Sequence, residues 1–296
     1  KKLEKDLEFM KVLVTGGAGF VGTNLIKRLL SDGHEVVSLD NYSTGLKENE
    51  QEGCVYHDID ISKTNLEYLS WINPDMIYHL AARARIQPSI TNPHKTFMSN
   101  VVGTENVLNV AKIFKIPVVY AGSSSVHGDV YSNPYTFSKY QGEEMCLMYN
   151  KVFGVPLSIC RFYNVYGEHQ LTQGDYCCVL GIFERQYKKH EPLTITGDGN
   201  QRRDFTYVGD IVDGLIKCGE SIEEVDGEIF ELGNGENYSI NELANAFGDY
   251  PKKWINKRKG EMRETLCRDE NANELLGWTP KGNIINFVKE NYLNEK

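Results

Sequence analysis

Tyr135 and Lys139 stand four residues apart in the stretch Asn133-Pro-Tyr-Thr-Phe-Ser-Lys139, and residues i and i+4 share one face of a helix. Asn133 is a capping residue type, and Pro134 suits the first helical position, where a missing N–H costs nothing. The phenol and the ammonium then project to one side. A fixed ammonium favours the phenolate and lowers a pKa that starts at about 10, which makes a general base usable at neutral pH. The same two residues also describe a solvated tyrosine beside a surface lysine, so the rest of the chain must decide.

A second candidate is Val14-Thr-Gly-Gly-Ala-Gly-Phe-Val-Gly22. Gly17, Gly19 and Gly22 fit G-x-G-x-x-G, and Gly16, Gly19 and Gly22 fit the GxxGxxG variant. Glycines at these positions permit a tight turn and let a pyrophosphate approach a helix N-terminus, where free N–H groups and the dipole attract anions. Asp40 closes the next β-rich run about 20 residues on, where ribose hydroxyls belong in such sites. A carboxylate there repels a 2′-phosphate, so the spacing favours NAD over NADP.

The elements around these residues alternate. Strand-like runs occur at 11–16, 35–40, 54–58, 76–81, 117–123 and 156–162, with helical stretches between them, notably 21–30, 93–114 and 135–153, the last stopped by Gly154. Continuous Val/Ile/Leu strands alternating with helices predict an α/β fold: a Rossmann-type, doubly wound parallel sheet covered on both faces. After Asn164 the rhythm loosens, with helical patterns at 176–189, 240–247 and 269–276. The expected division is an NAD-binding domain over 10–163, with returning segments near 205–220 and 228–233. The remainder, 164–296, forms a smaller α/β substrate domain, and 1–9 is a disordered extension before a natural start at Met10.

The 296 residues carry a formal charge of −9, and no Lys/Arg cluster offers a nucleic-acid surface. No apolar run approaches a membrane span, and the opening residues lack the apolar core of a signal peptide. Seven cysteines without paired CxxC spacing point to a reducing compartment, the cytoplasm, rather than to a disulfide framework or a metal site.

With Gly16–Gly22, Asp40, Tyr135 and Lys139 in place, the chain resembles an extended short-chain dehydrogenase/reductase, and more closely the nucleotide-sugar 4-epimerases related to UDP-glucose 4-epimerase. Further landmarks are LDNYSTG (39–45), HLAARARIQPS (79–89), SNVVGT (99–104), GSSSVHG (122–128), RFYNVYG (161–167) and GDGNQRRDFTYVGD (197–210). The resemblance implies NAD over Gly16, Gly19, Phe20, Val21 and Gly22, with its ribose near Asp40, Asn41, Ser43, Thr44 and Gly45. Asp58 and Ile59 edge the adenine. Leu80, Ala81, Ala82, Arg83 and Ser99 line the cofactor's path, and Tyr135, Lys139 and Tyr163 stand at the nicotinamide. Ser123, Tyr135 and Lys139 are the implied catalytic set. Ser123, Ser124, Tyr135, Asn164, Arg203, Arg258 and Thr265 would face a UDP-sugar, and the family often forms homodimers through helices matching 93–114 and 135–153.

The chemistry so implied is inversion at C4. Tyr135 as phenolate takes the 4-hydroxyl proton, Lys139 lowers the phenol's pKa, Ser123 relays the proton, and a 4-keto sugar turns before reduction. Related 4,6-dehydratases and UDP-glucuronate decarboxylases place carboxylates where this chain has Ser124 and Ser125, which favours simple epimerisation. Glucose, N-acetylglucosamine and uronic acid all remain candidate sugars, and an NAD-binding regulator without turnover is the reading of another class. Three positions and the length of one segment depart from the family pattern. His127 replaces a usual tyrosine and is read as a neutral wall residue, only six residues separate Gly128 from Tyr135, Glu231 stands for asparagine, and Arg268 for aspartate.

Overall fold

The computed structural model describes residues 9–63, 71–258 and 260–293, so the expected extension falls, save for Phe9, outside the described residues. The strands run in order β1 (Lys11–Thr15), β2 (Glu35–Asp40), β3 (Cys54–Asp58), β4 (Met76–His79), β5 (Val118–Ser123) and β6 (Leu157–Phe162). They continue as β7 (Asn164–Tyr166), β8 (Leu193–Thr196), β9 (Arg202–Tyr207), β10 (Ile229–Leu232), β11 (Asn237–Ser239) and β12 (Lys252–Ile255). The helices are α1 (Phe20–Ser31), α2 (Ile86–Thr91), α3 (Pro93–Phe97), α4 (Gly103–Phe114) and α5 (Pro134–Phe153). After them come α6 (Val179–Lys188), α7 (Val208–Glu220), α8 (Ile240–Asn245), α9 (Asn271–Leu276) and α10 (Ile284–Val288).

Seven parallel strands form the central sheet in the order β10-β6-β5-β4-β1-β2-β3. Successive residues of β1 point to opposite faces, as a period of two requires. Val12 and Val14 pack with Leu25 and Leu29 of α1 and Ile211 and Leu215 of α7, whereas Leu13 packs with Leu108 of α4 and Ile159 of β6. Both faces are therefore apolar, which is why the strands read as unbroken hydrophobic runs. From β1 the chain proceeds outward through β2 and β3, then returns to the other side of β1 as β4. A crevice opens at that reversal, beyond the strands' C-terminal ends. A third core, with Phe183, Leu193, Ile195, Phe205, Leu243 and Ile284, joins α6, α8 and α10 to the small sheets β11-β9-β7 and β12-β8 and walls the far side of the crevice.

Several boundaries differ from the sequence pattern, each for a local reason. The stretch 93–114 is not one α-helix: α3 passes through a π-helical turn at Met98–Val102 into α4, the kind of bulge that re-aims a side chain. It turns Asn100 inward, to 1% exposure. The helix expected from 176 begins at Val179, because the Cys178 thiol accepts from Gly181 N and caps it. The strand expected to reach 81 leaves the sheet after His79. Among the described residues no helix is long and apolar enough to cross a membrane, and no cluster of His, Cys, Asp and Glu has the makings of a metal site.

Candidate active site

Asn133 Oδ1 accepts from Thr136 N at 2.9 Å and Pro134 occupies the first turn of α5, so the helix starts where its sequence directs. It delivers Tyr135 to the crevice, a cleft of about 1110 Å³ also lined by Ser123, Ser124 and Lys139. The Tyr135 hydroxyl donates to Ser123 Oγ at 3.1 Å, and Ser123 Oγ shares a proton with Ser125 Oγ at 2.9 Å. Three hydroxyls thus form a line along which a proton can pass.

Lys139 takes a different part from the one its spacing predicts. Its Nζ donates to the Tyr120 hydroxyl at 2.9 Å and to Ala121 O at 2.5 Å, and burial pushes its pKa down to about 8. Burial also holds the Tyr135 phenol above its ordinary value, opposed by the Ser123 hydrogen bond and the positive charge of Arg85. The expected lowering of the phenol by Lys139 is not found here. Arg85, which the sequence reading passed over, is the cation that acts on it.

Ser123 is fixed from behind. Its N–H donates to Glu143 Oε1 at 3.1 Å, and Glu143 Oε2 accepts from Arg161 Nε at 2.9 Å. Arg161 Nη1 in turn donates to Glu231 Oε1 at 2.9 Å, and His127 Nε2 meets the same oxygen at 2.8 Å. The two departures at 127 and 231 therefore contact one another. His127 is held by Glu231 rather than standing on the cleft wall, and that hydrogen bond raises its pKa despite partial burial. Burial pushes the Glu231 carboxyl up, but the bonds from His127 and Arg161 more than offset this and leave it below its ordinary value.

At the other end of the cleft the glycine turn opens α1. Gly16 has φ +76°, and a Cβ on Gly22 would lie 2.2 Å from Gly16 O, so the turn closes only without side chains. Gly19 caps α1 with no side-chain acceptor for the first amides, and Gly16, Gly19, Phe20, Val21 and Gly22 line the cleft wall there. That cradle fits a dinucleotide pyrophosphate. Thr44, Leu80, Ala82, Arg83 and Tyr163 line the same wall. Asp40 lies beneath it, 7% exposed, its carboxylate accepting from Ala18 N at 2.9 Å and Tyr42 N at 2.8 Å, and burial raises its pKa. Asn41, Ser43 and Gly45 follow on the loop after β2. Asp58 ends β3 opposite Asp40, and Ile59 N donates to Asp40 O. Ala81 N is held by Thr15 Oγ1, and Ser99 sits in the π-helical turn beside Asn100, whose amide clasps the Arg83 backbone at 2.7 Å and 3.2 Å.

Asn164, Arg203, Arg258 and Thr265 share the far wall. Asn164 Nδ2 donates to Thr265 Oγ1 at 3.2 Å, which ties β7 to the loop before α9. Arg203 donates to Arg202 O at 2.8 Å, and burial lowers its pKa. Arg258 lies 3.8 Å from Glu261. Asn100, Arg161 and Glu143 were not singled out from the sequence as site residues. Only Glu143 left a signal, one further helical turn beyond Lys139.

The strand order, the glycine turn at the sheet reversal and the tyrosine–serine pair across from it define a Rossmann-type, dinucleotide-dependent enzyme class. The chain belongs to the NAD dependent epimerase/dehydratase family, whose model matches residues 12–233. It is 33% identical to a putative UDP-glucose 4-epimerase of Methanocaldococcus jannaschii over 313 residues, covering 95% of this chain and 99% of that protein. It is also 31% identical to UDP-glucuronic acid decarboxylase 1 of Danio rerio, covering 94% of this chain and 70% of that protein. Among solved structures, UDP-glucose 4-epimerase from Thermotoga maritima with UDP-glucose superposes with a TM-score of 0.88 at 27% identity, covering 95% of this chain and 96% of that one.

Proposed function

We propose that this protein inverts C4 of a UDP-sugar with NAD held throughout the cycle. The observation that carries the reading is the Tyr135 hydroxyl at 3.1 Å from Ser123 Oγ, in one cleft with the glycine cradle of α1. NAD, when bound, supplies the acceptor that oxidises C4 and the donor that reduces it again. Tyr135 takes the proton from the sugar O4 and later returns one there, with Ser123 and Ser125 sharing it. Lys139, nearly balanced between its charged and neutral forms at about pH 8, anchors the cofactor's ribose. Arg203 and Arg258 face the diphosphate, where guanidinium forks suit phosphate oxygens, and the Asn164–Thr265 pair borders the sugar. Ser125 bears no carboxylate for a second proton transfer, which favours epimerisation over elimination or decarboxylation.

Exposed Ile113, Met148, Val152 and Phe153 on α4 and α5 support a homodimer through these helices; sedimentation of Val152→Glu as a dimer would remove that part. The chemistry is tested by NMR of the NAD-loaded protein with UDP-glucose, UDP-N-acetylglucosamine and UDP-glucuronate in turn. A C4 epimer from at least one is the expected product. A 4-keto-6-deoxy sugar or carbon dioxide as the sole product would replace the reading.

A further inference from the structure

Arg85 is the last residue before α2 and lines the cleft. Its Nε is buried with no hydrogen-bond partner, and Nη1 donates only to the adjacent Ala84 O at 2.8 Å. Among the described residues no carboxylate lies within ion-pair distance of it. This contrasts with Arg161, which holds Glu143 and Glu231. A buried Nε–H without an acceptor is costly, and a planar fork with a free edge matches a carboxylate.

The other arginines of the cleft have their own tasks or partners. Arg203 and Arg258 stand at the wall assigned above to the diphosphate. Arg83 Nη1 donates to the Tyr176 hydroxyl at 3.0 Å, and Arg185 Nη1 to Thr172 O at 3.1 Å. Lys139 is bound to Tyr120 and Ala121. Arg85 differs in place as well as in freedom. It lines the same cleft as Tyr135, and the helix it precedes is docked on α5 where Ser89 Oγ accepts from Tyr135 N at 3.0 Å.

Resting on the epimerase reading, we infer that the substrate is a UDP-hexuronate and that Arg85 selects it by taking the C6 carboxylate. C6 hangs from C5, the neighbour of C4, so the carboxylate and O4 reach the guanidinium and the phenol together. A neutral hydroxymethyl group at C6 leaves the fork unpaired in the cleft, and sites built for a polar group reject analogues that lack it.

The test is C4 epimerisation of UDP-glucuronate, UDP-glucose and UDP-N-acetylmuramate by the NAD-loaded enzyme, wild type and Arg85→Gln, with UDP binding by calorimetry as a control for folding. The expected result is a kcat/KM on UDP-glucuronate at least about 100-fold above that on UDP-glucose. Arg85→Gln should lose about 100-fold on UDP-glucuronate, chiefly through KM, and bind UDP as wild type does; Arg85→Lys should recover part of the loss. Equal or better use of UDP-glucose overturns the inference and leaves the epimerase reading standing. Preference for UDP-N-acetylmuramate, whose carboxylate hangs from O3, overturns the C6 assignment. Selectivity unchanged in Arg85→Gln removes Arg85 from the role. No C4 epimer from any sugar overturns the epimerase reading itself.

Discussion

The Tyr135 hydroxyl and Ser123 Oγ lie 3.1 Å apart, although one begins a helix and the other ends a strand. The strand end is fixed by Glu143, two helical turns beyond Tyr135 on the same helix, so α5 sets both partners of the pair. Replacing Tyr135 by Phe keeps the ring and removes the proton carrier. Turnover should fall by about 100-fold to 10,000-fold with NAD still retained, as read by cofactor released on denaturation. Wild-type turnover by Tyr135→Phe would exclude this hydroxyl as the base.

Glu143 is 2% exposed and joins Ser123 N to Arg161. Glu143→Leu leaves the Arg161 charge short of a partner in the interior and should cost about 3–5 kcal/mol of stability, visible as a lower urea midpoint. An unfolding free energy within about 0.5 kcal/mol of wild type would show that the pair does not brace the fold.

The His127–Glu231 contact gives a pH dependence of defined sign. His127 is raised above its ordinary 6.5, so its contribution is full below about 6.5 and is lost as pH rises through the folded value. Glu231 is lowered from 4.5; its contribution is present above 4.5 and is lost as pH falls through the folded value. The His127 side chain is 46% exposed, so solvent screening holds the effect under about 1 kcal/mol. The stability gap between wild type and His127→Gln should be larger at pH 6 than at pH 9. A gap of the same size at both would show that the pair is electrostatically idle.

Gly22→Ala would set a Cβ 2.2 Å from Gly16 O and 2.7 Å from Gly17 Cα. Both contacts are backbone, so the turn must open and the cradle for the pyrophosphate with it. NAD affinity should drop at least about tenfold by calorimetry, and an unchanged affinity would place the dinucleotide elsewhere.

Much of this architecture is legible before any coordinates. Parallel strands buried on both faces must be continuously apolar, so β1, β4 and β5 declare themselves, and the α5 start is written in Asn133 and Pro134. What escapes is tertiary. The π-helical turn exists because Asn100 has partners in Arg83 and Ser138, neither of them local. His127 and Glu231 meet across 104 positions of sequence, and each alone looks like an unrelated departure. Lys139 shows the limit of spacing as evidence: the i,i+4 rule puts it on the face of Tyr135, but the buried Tyr120 hydroxyl and Ala121 carbonyl decide where its ammonium goes.

The measurement that tests the central claim most directly is the fate of a C4 label. A UDP-sugar deuterated at C4, incubated with the NAD-loaded protein, should yield its C4 epimer with deuterium still at C4, because the same two electrons leave and return within one cleft. Epimer carrying protium at C4 would mean exchange by another route and would contradict the account.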